Sequence, residues 1–213
     1  MISSFNRKLS ELSRNRKKLF FVQIGANDGH TDDPIYRLVK KFEWSGVLVE
    51  PVPEYFHKLK QSYKGVPNLS FANVAIADKN GYKTLYGFSD QAPFWIKIHT
   101  KTKNSFSKKT ILSHSWYMPN LEKYIVGQKV KAINVDTLIE KYTEGKVDML
   151  FIDTEGYDFE ILKQFDLKNL RPSVVYYEHK HLSLADKNKS WDMLADHGYK
   201  VEHDRLNTFA YLD

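Results

Sequence analysis

A chain of 213 residues with 42% hydrophobic residues and a formal charge of +6 is long enough for one α/β domain with a sizeable core, and its basic balance favours an anionic partner such as nucleic acid, a phosphorylated sugar or a membrane surface. Zero cysteines exclude disulfides, thiolate metal sites and cysteine nucleophiles. No apolar run reaches bilayer-spanning length and residues 1–18 lack the apolar core of a secretory signal, so the expected location is the cytoplasm.

Phe5, Leu9 and Leu12 recur at helical spacing among Arg7, Lys8, Arg14, Arg16, Lys17 and Lys18. The spacing predicts a short packing helix, with a basic arm for membrane or nucleic acid as the alternative. The apolar run from Leu19 to Ile24 has strand length and delivers the turn Gly25-Ala26-Asn27-Asp28-Gly29, which leads into a helical pattern from Asp33 onward. Two glycines allow a tight turn and close approach of a ligand, and exposed amides at the following helix start would attract a ligand oxygen or carboxylate. Ile35, Leu38, Val39 and Phe42 give the helical stripe, and residues 46–51 read as a buried strand ending in Glu50. An acid about twenty residues beyond such a turn commonly binds a ribose diol, so turn and acid together point to an adenosine-containing ligand. Residues 53–63 supply a second helix and residues 69–78 a third strand, with Asn73, Val74 and Ala75 near its carboxyl end, where a purine ring can rest.

Asn80-Gly81 is a turn signal, followed by an alternating strand over 82–88. From 89 to 128 regular periodicity fades, and Phe94, Trp95, Phe106, Trp116, Tyr117 and Met118 lie among Lys97, His99, Lys101, Lys103, Lys108, Lys109 and His114. Such a segment reads as an insertion that folds over the ligand crevice as a lid, its aromatics stacking on sugars or bases and its lysines pairing with phosphate; an insertion with its own aromatic core is the alternative. Regular patterning returns with a strand over 129–135, a helix capped by Asp136 and running through Tyr142, and a central strand over 147–153. That strand delivers Asp153 and Glu155 to a glycine turn and a helix carrying Phe159, Ile161, Leu162 and Phe165. Strand 173–177 delivers Glu178, His179 and His181, and the chain closes with a helix around Trp191, Leu194 and Ala195 and an antiparallel hairpin of 199–203 with 206–212.

Five stretches in this order, QIGANDG (23–29), VEPVPEYFHKL (49–59), NVAIAD (73–78), VDTLIEKY (135–142) and FIDTEGYDFEILK (151–163), resemble the FkbM family of S-adenosylmethionine-dependent methyltransferases. The resemblance implies a Rossmann-like class I methyltransferase fold, with a mostly parallel seven-stranded sheet, helices on both faces and a C-terminal antiparallel hairpin; the N-terminal arm and the insertion at 89–128 lie outside it, and the whole chain, 1–213, is expected to be a single α/β domain. It implies that Gly25, Ala26, Asn27 and Gly29, with Asp28 beside them, hold the methionine part of the cofactor. Glu50, next to Pro51, would take the ribose, and Asn73, Val74 and Ala75 the adenine. It also implies O-methyl transfer to a hydroxyl of a sugar, glycan intermediate or other small molecule. The leading position of the turn, often acidic in such enzymes, is Gln23 here, so Asp153 is expected to supply a charged contact to the methionine ammonium instead. Because the cofactor carries an activated methyl, the protein has to align the acceptor oxygen and remove its proton. Asp153, Glu155, Glu178, His179 and His181 are the candidate bases. Asp153 with Glu178 would alternatively hold a divalent cation, although no compact ligand motif is present and a metal is not the favoured reading. A nucleic-acid methyltransferase or binding module, and below it a nicotinamide-dependent oxidoreductase, are the competing functions.

Overall fold

A computed structural model of the chain describes residues 4–15, 18–89, 91–94, 104–113 and 120–213. The five-residue run Phe20–Ile24 forms β1, which lies between β2 (Ser45–Val49) and β7 (Met149–Ile152), both parallel to it. With β3 (Leu69–Ala72), β8 (Val174–Glu178), β9 (Lys200–His203) and β10 (Asn207–Tyr211), these strands make a seven-stranded sheet in the order β3-β2-β1-β7-β8-β10-β9. Five neighbouring strands run parallel, while β10 is antiparallel to both β8 and β9. The expected α/β fold, with its closing hairpin, is therefore present, and β10 inserts between β8 and the edge strand.

Period-two alternation explains why the central strands read as unbroken apolar runs: every residue has a covered face. Val22, Ile24, Val47, Val49, Leu150 and Ile152 pack on one side with Leu138 of α5 (Val135–Tyr142), Ile161 of α6 (Asp158–Leu162) and Leu194 of α7 (Leu184–Asp196). Phe21, Leu48, Met149 and Phe151 pack on the other with Phe5 and Leu9 of α1 (Phe5–Asn15), Val39 of α2 (Tyr36–Phe42) and Leu59 of α3 (Pro53–Ser62). The N-terminal helix is thus a packing helix: its Phe5 ring meets Tyr176 and Phe209 at 4.7 and 5.3 Å. Among the described residues no helix is long and apolar enough to cross a membrane.

Three sequence expectations are corrected. The strand read over 69–78 is two strands, because the Asn73 amide donates to the carbonyls of Glu50 and Pro51 and breaks the ladder there. Its second half, β4 (Ala75–Ile76), joins β5 (Gly81–Phe88) and β6 (Ile125–Ile133) in a separate three-stranded sheet. The insertion accordingly ends at 124 rather than 128, since β6 pairs with β5 out to the register Phe88↔Ile125. Finally, α5 is capped by Asn134, whose side chain accepts from the Thr137 amide at 3.0 Å, and not by Asp136. Within the insertion, α4 (Lys108–Ser113) and a short 3-10 turn (Leu121–Tyr124) are described. Trp95, Lys97, His99, Lys101, Lys103, His114, Trp116, Tyr117 and Met118 lie outside the described residues.

Candidate active site

The carboxyl ends of β1, β2, β7 and β8 meet at one cleft of about 420 Å³, at the point where strand order reverses around β1. Gly25 is required where it stands: its φ is +82°, and a Cβ there would lie 1.7 Å from the Asp153 carbonyl oxygen. Four of the five amides of the turn 25–29 are engaged within the fold, and so are the first amides at the start of α2, contrary to the sequence expectation for that helix start. Gly25 and Ala26 both donate to the Val49 carbonyl, Gly29 donates to Ala26, and Asn27 donates to the Glu50 carboxylate at 2.9 Å. His30 and Thr31 donate to Asp28, and Ile35 and Tyr36, at the start of α2, donate to Asp33. A phosphate would find few donors here.

What faces the cleft instead is negative charge. Asp32, Asp33, Glu50, Asp153, Glu155 and Glu178 line it, against Lys180 as the single described lysine or arginine. Glu50 is 5% exposed and accepts from the amides of Asn27 and Val52, one on each oxygen. Burial pushes its carboxyl up from 4.5 to about 7 despite those two bonds. Asp33 accepts from the Gln23 side chain at 2.8 Å, and burial raises its carboxyl too. Gln23 Oε1, Asn27 Oδ1 and Thr154 Oγ1 are buried without a hydrogen-bond partner among the described residues, and all three side chains line the cleft. Such acceptors suit a ligand bearing donors and positive charge. Along one wall, Val74, Ala75, Ile76 and Leu85 are apolar.

The other end is built by two strand exits. After β7, Glu155 takes a left-handed φ of 53° and Gly156 a φ of 100°. The turn is held by Asp158, whose carboxylate accepts from the Thr154 and Gly156 amides at 3.0 and 2.9 Å. Asp158 is fully buried, and burial together with nearby Asp153 pushes its carboxyl up to about 8. After β8, alternation continues past the strand, so Tyr176, Glu178 and Lys180 all line the cleft. His181 then brings Nε2 to 3.3 Å from Glu155 and 3.7 Å from Glu178. These three side chains form the one metal-compatible group found among the described residues. From the insertion, Ser105 donates to the Glu155 carbonyl at 2.8 Å and is bridged to Tyr86, while Phe106 packs edge-on against Tyr157 at 5.0 Å. Asn104 and Phe106 thereby reach the cleft wall.

The sequence model of the methyltransferase FkbM domain matches residues 23–201. The chain belongs to the FkbM methyltransferase family. Among solved structures, the FkbM methyltransferase of Methylobacillus flagellatus KT is similar at a TM-score of 0.56 and 12% identity, over 92% of this chain and 44% of that one. This chain therefore spans less than half the length of that relative. The precorrin-6y C5,15-methyltransferase of Geobacter metallireducens GS-15 is similar at a TM-score of 0.48 and 14% identity, over 99% of this chain and 90% of that one. No curated protein matches the sequence.

Against the FkbM expectation, Gly25, Ala26, Asn27, Glu50, Pro51, Val74, Ala75, Asp153, Glu155 and Glu178 line the cleft. Four other expected residues support its walls without lining them. Asp28 braces the loop through the His30 and Thr31 amides; Gly29 packs on α3, where a Cβ would meet Leu59 at 2.4 Å; Asn73 holds the Glu50–Pro51 backbone; and His181 stands behind the two glutamates. His179 is corrected as a candidate base. Alternation turns it to the Tyr177 side, where it is 3% exposed, meets Trp191 edge-on at 5.6 Å and shares a hydrogen bond with Thr208, and burial drives its imidazole down to about 4. Sequence reasoning missed Asp33 and Asp158. The glutamine at position 23 was a signal for the first, since an amide in place of an acid calls for an acid nearby.

Proposed function

We propose that this FkbM-family chain is an S-adenosylmethionine-dependent O-methyltransferase acting on a small-molecule or glycan hydroxyl. The carrying observation is the acid-lined cleft beside a glycine turn in which the amides of Gly25, Ala26, Asn27 and Gly29 are already engaged. A dinucleotide needs donors for its pyrophosphate, whereas a cofactor with an ammonium and a sulfonium and no phosphate suits carboxylates and orphaned carbonyl acceptors. The same acidity argues against a nucleic-acid backbone in the cleft, whatever the +6 charge of the whole chain.

In this reading the methionine end meets Gln23, Asn27, Asp33 and Asp153, the ribose hydroxyls donate to Glu50, and the adenine rests against Val74, Ala75 and Ile76. Each Glu50 oxygen keeps a lone pair beyond the backbone bond it accepts. The acceptor enters past Phe106, Tyr157 and Tyr176, whose rings offer faces for a sugar. The acceptor hydroxyl attacks the methyl carbon in line, and its proton is drawn off at the Glu155–Glu178–His181 end. Calorimetric titration with S-adenosylhomocysteine and, separately, with NADH tests the cofactor assignment. Saturable binding of the former, weakened in Glu50→Ala, is expected; binding of NADH alone would overturn it. Incubation with labelled S-adenosylmethionine and fractionated lysate tests the acceptor class, and label confined to RNA or DNA would refute the small-molecule reading.

A further inference from the structure

Resting on that reading of the cleft, we propose that Glu155, Glu178 and His181 bind a divalent first-row transition cation at the acceptor end. One ligand atom from each residue lies within 4.8 Å of the others. The two Nε2–Oε2 separations, 3.3 and 3.7 Å, are longer than an N–H···O hydrogen bond of about 2.7–3.2 Å. Two ligands that each sit about 2.1 Å from a shared cation stand about 3.0 Å apart at a right angle and about 3.4 Å at a tetrahedral one, so the 3.3 Å pair fits as it stands and the 3.7 Å pair has to close by a few tenths of an ångström or span a wider angle. The side chains are 10–11% exposed, so the site is walled by protein.

The approach of the three is arranged by the fold. Gly156 admits the histidine: a Cβ at that position would stand 3.2 Å from His181 Cβ. Asp158 fixes the turn that carries Glu155, and Ser105 ties down the Glu155 carbonyl. His179 and Lys180 donate their amides to the Leu206 carbonyl and so pin the exit of β8 between Glu178 and His181. Supports of this kind orient the groups that bind a metal. One imidazole with two carboxylates favours manganese, iron or zinc over calcium and magnesium, which prefer all-oxygen sites. The two glutamates also line the cleft, which leaves open coordination positions toward an acceptor oxygen, as in catalytic rather than structural sites.

A hydroxyl bound there is acidified and held for attack. Its oxygen forms the new bond to the methyl carbon as the carbon–sulfur bond breaks, sulfur keeps that electron pair as a neutral thioether, and the hydroxyl proton leaves at this same end to water, because Glu155, Glu178 and His181 act on it through the cation and not as its base. This differs from the Asp153–Glu178 pair considered from sequence, because His181 stands with Glu178 and Glu155.

The full chain, stripped by dialysis against a chelator, is titrated with manganese chloride and followed by loss of the free-ion paramagnetic resonance signal. One ion per chain is expected, half-saturating below about 0.1 mM, with affinity reduced about tenfold or more in Glu178→Gln and His181→Asn. S-adenosylhomocysteine titration of His181→Asn checks that it is folded, and wild-type binding of manganese without S-adenosylhomocysteine would sink the cofactor reading while sparing the metal site. On the wild-type complex alone, electron spin-echo envelope modulation should detect one imidazole nitrogen coupled to manganese. No binding at that concentration, equal binding by both variants, or no nitrogen coupling overturns the proposal.

Discussion

Glu50 is the residue whose replacement separates the cost of a buried charge from its use. Its carboxyl rises from 4.5 to about 7 chiefly through burial, which corresponds to about 3 kcal/mol against the charged form in the ligand-free fold. Because the folded value lies above the unfolded one, the stability is fully present below pH 4.5 and is lost as the pH climbs through about 7. Glu50→Gln carries no charge and has no such slope. It does set an amide N–H against the backbone N–H of either Asn27 or Val52, both of which now donate to the carboxylate, at a cost of about 1–3 kcal/mol. The variant should therefore melt below wild type at pH 5 and at or above it at pH 8. For a chain of this size each kcal/mol moves the midpoint about 2–4 °C, so the crossing is measurable by calorimetry or circular dichroism. The ligand reverses the ranking. In the proposed reading ribose hydroxyls donate to the carboxylate, so S-adenosylhomocysteine should bind wild type more tightly as pH passes about 7, and the variant should bind at pH 8 about 10–100-fold more weakly, the worth of one hydrogen bond to a charged group. A midpoint difference that does not change between pH 5 and 8, or a variant that binds as wild type does, would refute this account of Glu50.

Three further substitutions probe the walls of the site. Gly25→Ala drives a methyl to within 1.7 Å of the Asp153 carbonyl at a φ of +82° and should abolish S-adenosylhomocysteine binding or yield unfolded protein; a soluble variant with unchanged affinity would contradict the crowding at the β1–β7 junction. Asp158→Ala removes the acceptor of the Thr154 and Gly156 amides and should cost about 2–5 kcal/mol of stability, read as a lower midpoint in urea; a loss below the error of the melt would mean that water replaces the carboxylate. Phe106→Ala breaks the edge-on contact with Tyr157 and should lower stability by only about 0.5–1.5 kcal/mol while raising the acceptor KM with S-adenosylhomocysteine affinity kept, so a loss confined to cofactor binding would argue against a place for Phe106 on the acceptor wall.

Where a residue's role depends on neighbours within one turn or one strand pair, sequence made it legible. The β1–turn–α2–β2 unit and Glu50 were visible because apolar period and glycine spacing act locally, and the same alternation that buries Tyr177 could have told that Glu178 and Lys180 share the cleft face while His179 does not. The break at Asn73 was hidden because it depends on a side chain reaching the carbonyls of Glu50 and Pro51 from the neighbouring strand, and LSFANVAIAD carries uninterrupted strand propensity across it.

Accounting for the loop amides was equally out of reach, and it carries the functional consequence. From sequence, the amides at the helix start after the turn looked open to a ligand oxygen or carboxylate; in the fold, Val49, Glu50 and Ala26 take four donors of the turn, Asp28 takes those of His30 and Thr31, and those of Ile35 and Tyr36 go to Asp33. Gln23, which seemed a missing acid, passes its amide to Asp33 and keeps an unused acceptor at the cleft. The negative group is thereby displaced ten positions along the chain while the turn keeps its acidic character, as a site for a cationic ligand requires. The same reasoning explains why the Glu155–Glu178–His181 group had no compact motif: two of its members lie three residues apart at the end of β8, the third comes from the neighbouring β7, and only parallel pairing of those strands brings the two exits together.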